Sequence, residues 1–140
     1  FVQAPADIHA LHAALDAAGA LATAVVLKIE TRRAFEALPH LLLAAMRRGP
    51  FAVMVARGDL AVEVGFERLA EVQEEILWLC EAAHAPVIWA TQVLEDMAQT
   101  GLPSRAEVSD AAMAERSECV MLNKGPFIVP TVRFLDGVLR

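Results

Sequence analysis

Aromatic residues, cysteines and clustered basic residues are all scarce in this chain of 140 residues. Aromatic residues make up 6% of it and tyrosine is absent. The two cysteines, Cys80 and Cys119, lie inside apolar patterns and are too few for a disulfide framework. We therefore expect core-packed thiols and a reduced, cytoplasmic setting. The 12 basic residues face 18 acidic ones and form no patch, so nucleic acid is not an expected partner.

The chain also lacks an apolar run long enough to span a membrane. Its longest weakly polar stretch, Ala17 to Leu27, is shorter than the roughly 20 residues that a spanning helix needs. Even so, 56% of the residues are hydrophobic and the mean hydropathy is +0.44, which is high for a domain of this size. This excess predicts a chain that buries apolar surface against something else. Phe1 to Gln3 is typical of the end of a strand, so we expect the sequence to begin within a larger architecture.

Short apolar runs alternate with segments of helical spacing along the whole chain. The runs predict five strands: Phe1 to Gln3, Val25 to Glu30, Phe51 to Ala56, Val87 to Thr91 and Cys119 to Leu122. The spacing between them predicts helices, among them one from Pro5 to about Gly19, one broken at Pro39, one from Leu69 to Ala83, one capped by Ser104 with Glu107, and one opened by Pro130.

Such alternation predicts an α/β fold of parallel strands with helices outside. The strands are apolar throughout, which is typical of strands buried on both faces. A doubly wound open sheet and a (β/α)₈ barrel both fit this order of elements. No Gly-x-Gly-x-x-Gly follows the first strand, which argues against a dinucleotide-binding fold.

Polar side chains at the carboxyl ends of parallel strands are the informative ones, because ligands bind there in such folds. Lys28 and Glu30 are two apart on one strand, so their side chains share a face. Asp59 follows the next strand, and two carboxylates at neighbouring strand ends are suited to Mg²⁺. Gly58 permits a sharp turn or a close approach to an anion. The alternatives are a solvated ion pair and an ordinary surface turn.

A hydroxyl ends the following strand, at Thr91. It is able to donate or accept a hydrogen bond at the same edge of the sheet. The alternative is a satisfied Thr at a strand end or helix cap.

Five segments in register resemble consecutive motifs of the pyruvate kinase family over nearly the whole chain. They are Lys28-Ile29-Glu30, Val53 to Leu60 (VMVARGDL), Pro86 to Glu95 (PVIWATQVLE), Ser104 to Asp110 (SRAEVSD) and Cys119 to Leu122 (CVML). The resemblance implies the last five strands of an eight-stranded barrel, roughly five-eighths of a TIM barrel. Residues 1–140 are then a partial catalytic barrel domain, either a fragment or a truncated chain.

The resemblance also implies a glycolytic reaction, phosphoryl transfer from phosphoenolpyruvate to ADP to give pyruvate and ATP. It makes Lys28 the lysine that stabilises the transferring phosphoryl group and the enolate oxygen. Glu30 and Asp59 become the ligands of Mg²⁺ or Mn²⁺, and the Gly58 and Asp59 amides hold the substrate carboxylate. Thr91 lies near the enolate carbon that is protonated. The K⁺ ligands of the family belong to strands that this chain lacks.

Because the sequence departs from the family in two ways, other hypotheses for its function stay open. After the last strand the family has Ser-Gly-Glu-Thr-Ala, whereas this chain has Asn123-Lys124-Gly125-Pro126. The binding of ADP and ATP on this side of the site is therefore in doubt. Lys124 is either a replacement phosphate contact or an exposed loop lysine. The first strands, the lid and the regulatory domain are missing, so we expect no activity from the chain alone. The alternatives are a Mg²⁺-dependent pyruvate-enolate aldolase or lyase and a non-catalytic barrel relic. We also expect a homo-oligomer or completion by missing strands.

Overall fold

Strands and helices alternate in the structure as the hydrophobic period predicts. The computed structural model describes residues 2–140. The strands are β1 (Val25–Ile29), β2 (Phe51–Ala56), β3 (Val87–Val93) and β4 (Cys119–Leu122). The α-helices are α1 (Pro5–Ala17), α2 (Arg32–Glu36), α3 (Leu38–Ala45), α4 (Arg57–Val64), α5 (Leu69–Ala82), α6 (Glu95–Thr100), α7 (Arg105–Met113) and α8 (Ile128–Val138), with 3₁₀ turns at Phe66–Arg68 and Ala114–Arg116. None of the helices in this described part is long and apolar enough to cross a membrane.

The chain divides into two compact units, one that extends to Val87 and one from Ile88 to Arg140. In the first unit β1 pairs with β2 in parallel, with Val25 opposite Phe51. In the second unit β3 pairs with β4 in parallel, with Ile88 opposite Cys119. Helices connect the strands of each parallel pair, which is the predicted β/α architecture.

The core of the first unit lies between the paired strands and the helices that cover one face of them. Its fully buried side chains come from alternate strand positions and from the apolar faces of α3 and α5: Leu27, Ile29, Val53, Val55, Leu38, Leu41, Val72 and Ile76. The intervening residues of β1, Val26 and Lys28, are exposed. One face of β1 is therefore packed in the core, and the other exposes an apolar side chain, Val26, and a charged one, Lys28.

In the second unit, Trp89 is fully buried in β3 and Leu135 of α8 is nearly so. The predicted capping box is confirmed: the Ser104 hydroxyl accepts from the Glu107 amide at 3.2 Å, and Glu107 accepts from the Ser104 amide at 3.0 Å. The other oxygen of Glu107 accepts from the Asp96 amide at 2.7 Å. One carboxylate thus stabilises the starts of both α6 and α7.

The first predicted strand is wrong where the structure describes it. Phe1 lies outside the described residues, and Val2 and Gln3 belong to no strand, so residues 2–140 contain four strands. The amides of Gln3 and Ala4 both donate to the Asp7 carboxylate at 2.8 Å, and these two bonds lower the pKa of Asp7. These amides therefore make hydrogen bonds at the start of α1 and do not pair with a strand.

Four smaller predictions also need correction. Strand β1 ends at Ile29 and not Glu30, while β3 continues to Val93 and not only to Thr91. Helix α8 begins at Ile128, so Pro130 is its third residue; proline is tolerated there because first-turn amides have no partner within the helix. Cys80 is buried as predicted, but Cys119 is exposed because the pleat of β4 turns it toward solvent.

Apolar strand surface that remains accessible predicts self-association. Val26 of β1 is 46% exposed, and an apolar-lined cavity of about 370 Å³ lies beside that strand. Among residues 2–140, β1 has no second strand partner at its outer edge. Such edges pair readily with other chains, so we expect the isolated chain to associate as its concentration rises. Light scattering over a concentration series measures this, and a strictly monomeric species at the highest concentration would contradict it.

Candidate active site

The carboxyl end of β1 carries an ion pair. The Lys28 ammonium contacts the Glu30 carboxylate directly, as their shared strand face predicts. The two side chains differ in environment, since Glu30 is 6% exposed and Lys28 47%. A buried carboxylate is thus paired with a lysine whose side chain is about half exposed to solvent.

The carboxyl end of β2 leads straight into α4. Arg57 is the first residue of this helix, so Gly58 and Asp59 lie in its first turn. The sequence-based interpretation of Arg-Gly-Asp-Leu as a turn missed this helix. Leu60, Ala61 and Val64 supplied the missed signal, because their spacing is helical and all three are buried. The first amides of a helix have no partner within it and favour anions at that end.

Lys28 brings the two predicted carboxylates into one cluster. Its amine lies 3.9 Å from the Asp59 carboxylate in addition to its contact with Glu30. The hydrogen bond to Glu30, reinforced by the charges of Glu30 and Asp59, raises the pKa of Lys28. We call Lys28, Glu30 and Asp59 the Lys28 cluster. It holds one fixed positive charge between two carboxylates at adjacent strand ends.

The donor set of the Lys28 cluster suits a hard divalent cation. Glu30 is buried, and apart from Lys28 neither of its carboxylate oxygens has a hydrogen-bond partner within residues 2–140. A buried carboxylate with spare lone pairs is stabilised by added positive charge. The same residues contain no group of three or more His, Cys, Asp or Glu placed to bind a metal. A Mg²⁺ ion bound by Glu30 and Asp59 would thus take its other ligands from substrate and water.

An open groove of about 510 Å³ gives access to the Lys28 cluster. Gln3, Thr31, Val62 and Glu63 complete its lining. The groove is large enough for a small phosphorylated acid together with water, and six of the seven residues that line it are polar or charged. These side chains suit an ionic substrate.

Thr91 lies in the second unit, in a distorted part of β3. Four steps of β3 from Trp89 to Val93 face only two steps of β4, so β3 carries a bulge. Thr91 and Gln92 have left-handed backbones, with φ of 66° and 57°. This conformation is rare for β-branched residues, and bulges and strained residues concentrate at functional sites. The distortion therefore supports a functional role for Thr91, whereas the presence of a threonine at a strand end does not by itself support one.

The strain at Gln92 predicts an unusual response to glycine. A left-handed backbone costs an L-residue about 1–2 kcal/mol, and Gln92→Gly removes that cost. This gain offsets the extra conformational entropy that glycine gives to the unfolded chain. We expect stability to be unchanged or slightly raised. Gln99→Gly, in α6, is expected to lose about 1 kcal/mol from helix propensity and more from the lost hydrogen bond of the Gln99 side chain to the Lys124 carbonyl. Urea unfolding compares the two, and equal losses would show that Gln92 is not strained.

The loop after β4 is anchored to α6. The Lys124 carbonyl accepts from the Gln99 side chain at 2.8 Å, and the Phe127 amide donates to the Ala98 carbonyl at 3.0 Å. A Cβ on Gly125 would lie 2.1 Å from the same carbonyl, so only glycine fits this approach. The Lys124 residue itself is exposed. Its contact with nucleotide therefore stays a prediction.

Parallel β/α units with a lysine and two carboxylates at successive strand ends define the class: an α/β protein with an ionic site at the carboxyl edge of its strands. The pyruvate kinase barrel-domain family model matches residues 1–126. The chain therefore belongs to the pyruvate kinase family, and its fold is part of that family's α/β barrel.

Individual relatives agree with this assignment. Identity is 40% over 125 residues with a pyruvate kinase of Corynebacterium efficiens, covering 88% of this chain and 25% of that protein. It is 38% over 145 residues with a pyruvate kinase of Mycobacterium intracellulare, covering 99% and 29%. It is 34% over 146 residues with human pyruvate kinase PKLR, covering 100% and 24%. The chain thus spans about a quarter of the length of these relatives.

Proposed function

We propose that residues 1–140 form part of the catalytic barrel of a pyruvate kinase-like phosphotransferase. The reaction is transfer of the phosphoryl group of phosphoenolpyruvate to ADP, giving pyruvate and ATP. The observation that carries the proposal is the Lys28 cluster, in which one ammonium contacts both a buried and an exposed carboxylate. A phosphorylated enol acid needs this combination of a cation and metal-binding oxygens.

Within the Lys28 cluster, each residue has a distinct role. Lys28 stabilises negative charge on the transferring phosphoryl group and on the enolate oxygen. Its raised pKa keeps the amine charged at neutral pH, so it acts as a fixed cation and not as a base. Glu30 and Asp59 hold Mg²⁺ or Mn²⁺. The bound divalent ion would supply further neutralisation of the phosphoryl and carboxylate charge.

Two other groups orient the substrate. The amides of Gly58 and Asp59, in the first turn of α4, bind the carboxylate of phosphoenolpyruvate, since that helix end favours anions. Thr91 lies near the carbon that receives a proton when the enolate becomes pyruvate. The strained backbone at Thr91 supports this assignment, because residues held in rare backbone conformations concentrate at functional sites.

The nucleotide and monovalent-cation contacts need further parts of a barrel. The resemblance places the K⁺ ligands on strands outside this chain, and ADP is assigned to the side where Asn123 to Pro126 replace the family motif. We therefore propose that the chain works only when the remaining strands complete the barrel. The isolated chain should be inactive.

A chimera tests the proposed function. Residues 1–126 replace the matching segment of the Corynebacterium efficiens relative, and we call this protein the completed enzyme. Coupled assays measure pyruvate formation from phosphoenolpyruvate and ADP, and cleavage of 2-keto-acid aldols. Mg²⁺-dependent turnover in the first assay alone supports the kinase. Turnover in the second alone supports an aldolase or lyase, and turnover in neither supports a non-catalytic barrel relic.

A further inference from the structure

A pair of residues beside the Lys28 cluster joins two helix ends. The Arg32 amide, at the start of α2, donates to the Glu63 carboxylate at 3.3 Å. The Arg32 guanidinium donates to the backbone carbonyls of Glu63 at 3.3 Å and Val64 at 3.4 Å, at the end of α4. We call Arg32 and Glu63 the helix-end clamp.

The contacts of the helix-end clamp are reciprocal. A helix start has amides without partners and favours a negative charge, while a helix end has carbonyls without partners and favours a positive charge. Glu63 supplies the carboxylate to α2, and Arg32 supplies the guanidinium to α4. Each residue thus satisfies the end of the other's helix, and the forked guanidinium reaches two carbonyls at once.

The helix-end clamp is tied along the chain to both carboxylates of the Lys28 cluster. Arg32 follows Glu30 by two residues, and Glu63 follows Asp59 by one turn of α4. Asp59 itself is 68% exposed, and its one described side-chain contact is with Lys28 at 3.9 Å. Local packing of the Asp59 side chain therefore does little to fix its distance from Glu30. The buried face of α4 holds the helix axis, and the helix-end clamp fixes its far end.

We propose that Arg32 and Glu63 are positioning residues that set the separation of Glu30 and Asp59 across the Lys28 cluster. This inference rests on the proposed function for its purpose, although the positioning itself is a property of the fold. Both residues are exposed and their contacts are 3.3–3.4 Å long, so we expect local effects on α4 and not global unfolding.

Arg32→Ala tests the helix-end clamp, with Arg33→Ala as its matched control. Arg33 is adjacent, also exposed and in the same helix, and its side chain makes no hydrogen bond or ion pair within residues 2–140. Backbone hydrogen exchange of α4 is measured in the 140-residue chain by mass spectrometry, without metal and at a concentration where light scattering shows the chain to be monomeric. We expect its last-turn amides to exchange about tenfold faster in Arg32→Ala than in Arg33→Ala. Arg32→Lys should resemble Arg32→Ala, because lysine keeps the charge and loses the fork.

A second readout reports the separation itself. In crystal structures of Arg32→Ala and Glu63→Ala we expect the distance between the Cα atoms of Glu30 and Asp59 to change relative to Arg33→Ala. The double variant should show no more than the larger single effect, because both substitutions break the same contacts.

Unchanged α4 exchange and an unchanged Glu30-to-Asp59 distance in Arg32→Ala, relative to Arg33→Ala, would overturn the inference. So would full rescue by Arg32→Lys. Neither readout uses metal or turnover. If the completed enzyme is inactive while the chain variants still respond in both readouts, the result counts against the proposed function and leaves the positioning by Arg32 and Glu63 standing.

Discussion

Lys28→Met in the completed enzyme is expected to lower kcat by about 10³-fold, the loss typical of a preorganised charge on a phosphoryl or oxyanion transition state. The amine is already held by Glu30 and Asp59 before substrate binds, so it needs little reorganisation during the reaction. Lys28 is 47% exposed, but its removal leaves the buried Glu30 carboxylate without its partner, so some loss of stability is expected beside the larger loss of kcat. Steady-state assays with phosphoenolpyruvate and ADP measure the change.

Arg33→Met is the control for Lys28→Met. It removes a positive charge from the same unit, at an exposed residue outside the Lys28 cluster. We expect near-unchanged kcat in this variant. If kcat of Lys28→Met stayed within a few-fold of that of the Arg33→Met control, Lys28 would have no catalytic role. Such a result would support the alternative hypotheses of an aldolase or lyase or of a non-catalytic barrel.

Glu30→Gln and Asp59→Asn are each expected to lose most of the affinity for Mg²⁺ or Mn²⁺. Both substitutions keep the side-chain size and remove the charge that a hard divalent ion needs. The loss should be greater for Glu30→Gln, because Glu30 is buried and an amide there leaves Lys28 without its closest partner. Mn²⁺ titration followed by electron paramagnetic resonance measures both, and unchanged affinity in either variant would remove that residue from the site.

In the same Mn²⁺ titration, Lys28→Met distinguishes the effect of the lysine charge from the loss of a metal ligand. The Lys28 ammonium competes with a divalent ion for the two carboxylates, so removing it should strengthen Mn²⁺ binding while it lowers kcat. A matched substitution of a metal ligand lowers both. The opposite signs distinguish a lysine that acts on substrate from one that merely supports the carboxylates.

Much of the fold follows from the hydrophobic periodicity of the sequence and from the turn and capping residues that end each run. The strand Phe51 to Ala56 and the strand Cys119 to Leu122 are confirmed with the predicted bounds, because each is a short apolar run with turn or polar residues around it. The Ser104 capping box is likewise confirmed, since its two hydrogen bonds are local in sequence. Local rules succeed where the contacts that decide the structure lie within a few residues.

The errors arise where a neighbouring element decides. Val2 and Gln3 have strand-like character, but the Asp7 carboxylate takes the Gln3 amide for the start of α1. Helix α4 was missed because Gly58 suggested a turn, whereas burial of Leu60 and Val64 stabilises a helix there. The left-handed residues in β3 had no sequence signal at all, because neither Thr91 nor Gln92 favours that conformation.

The Lys28 cluster was predicted more fully than its surroundings. Alternation along β1 placed Lys28 and Glu30 together, and parallel pairing of β1 with β2 brought Asp59 to the same edge. The helix-end clamp was not predicted, because Arg32 and Glu63 are 31 residues apart and each is an ordinary surface residue by type. Only the fold brings their helix ends together.

The position of a bound divalent ion tests the site most directly. Crystals of the completed enzyme grown with Mn²⁺ and phosphoenolpyruvate would be measured at the manganese absorption edge. We expect one anomalous peak in the groove, within about 2.0–2.4 Å of carboxylate oxygens of both Glu30 and Asp59, with the Lys28 amine directed at the phosphoryl group. A Mn²⁺ peak bound elsewhere, with Glu30 and Asp59 contacting only Lys28, would contradict the assignment.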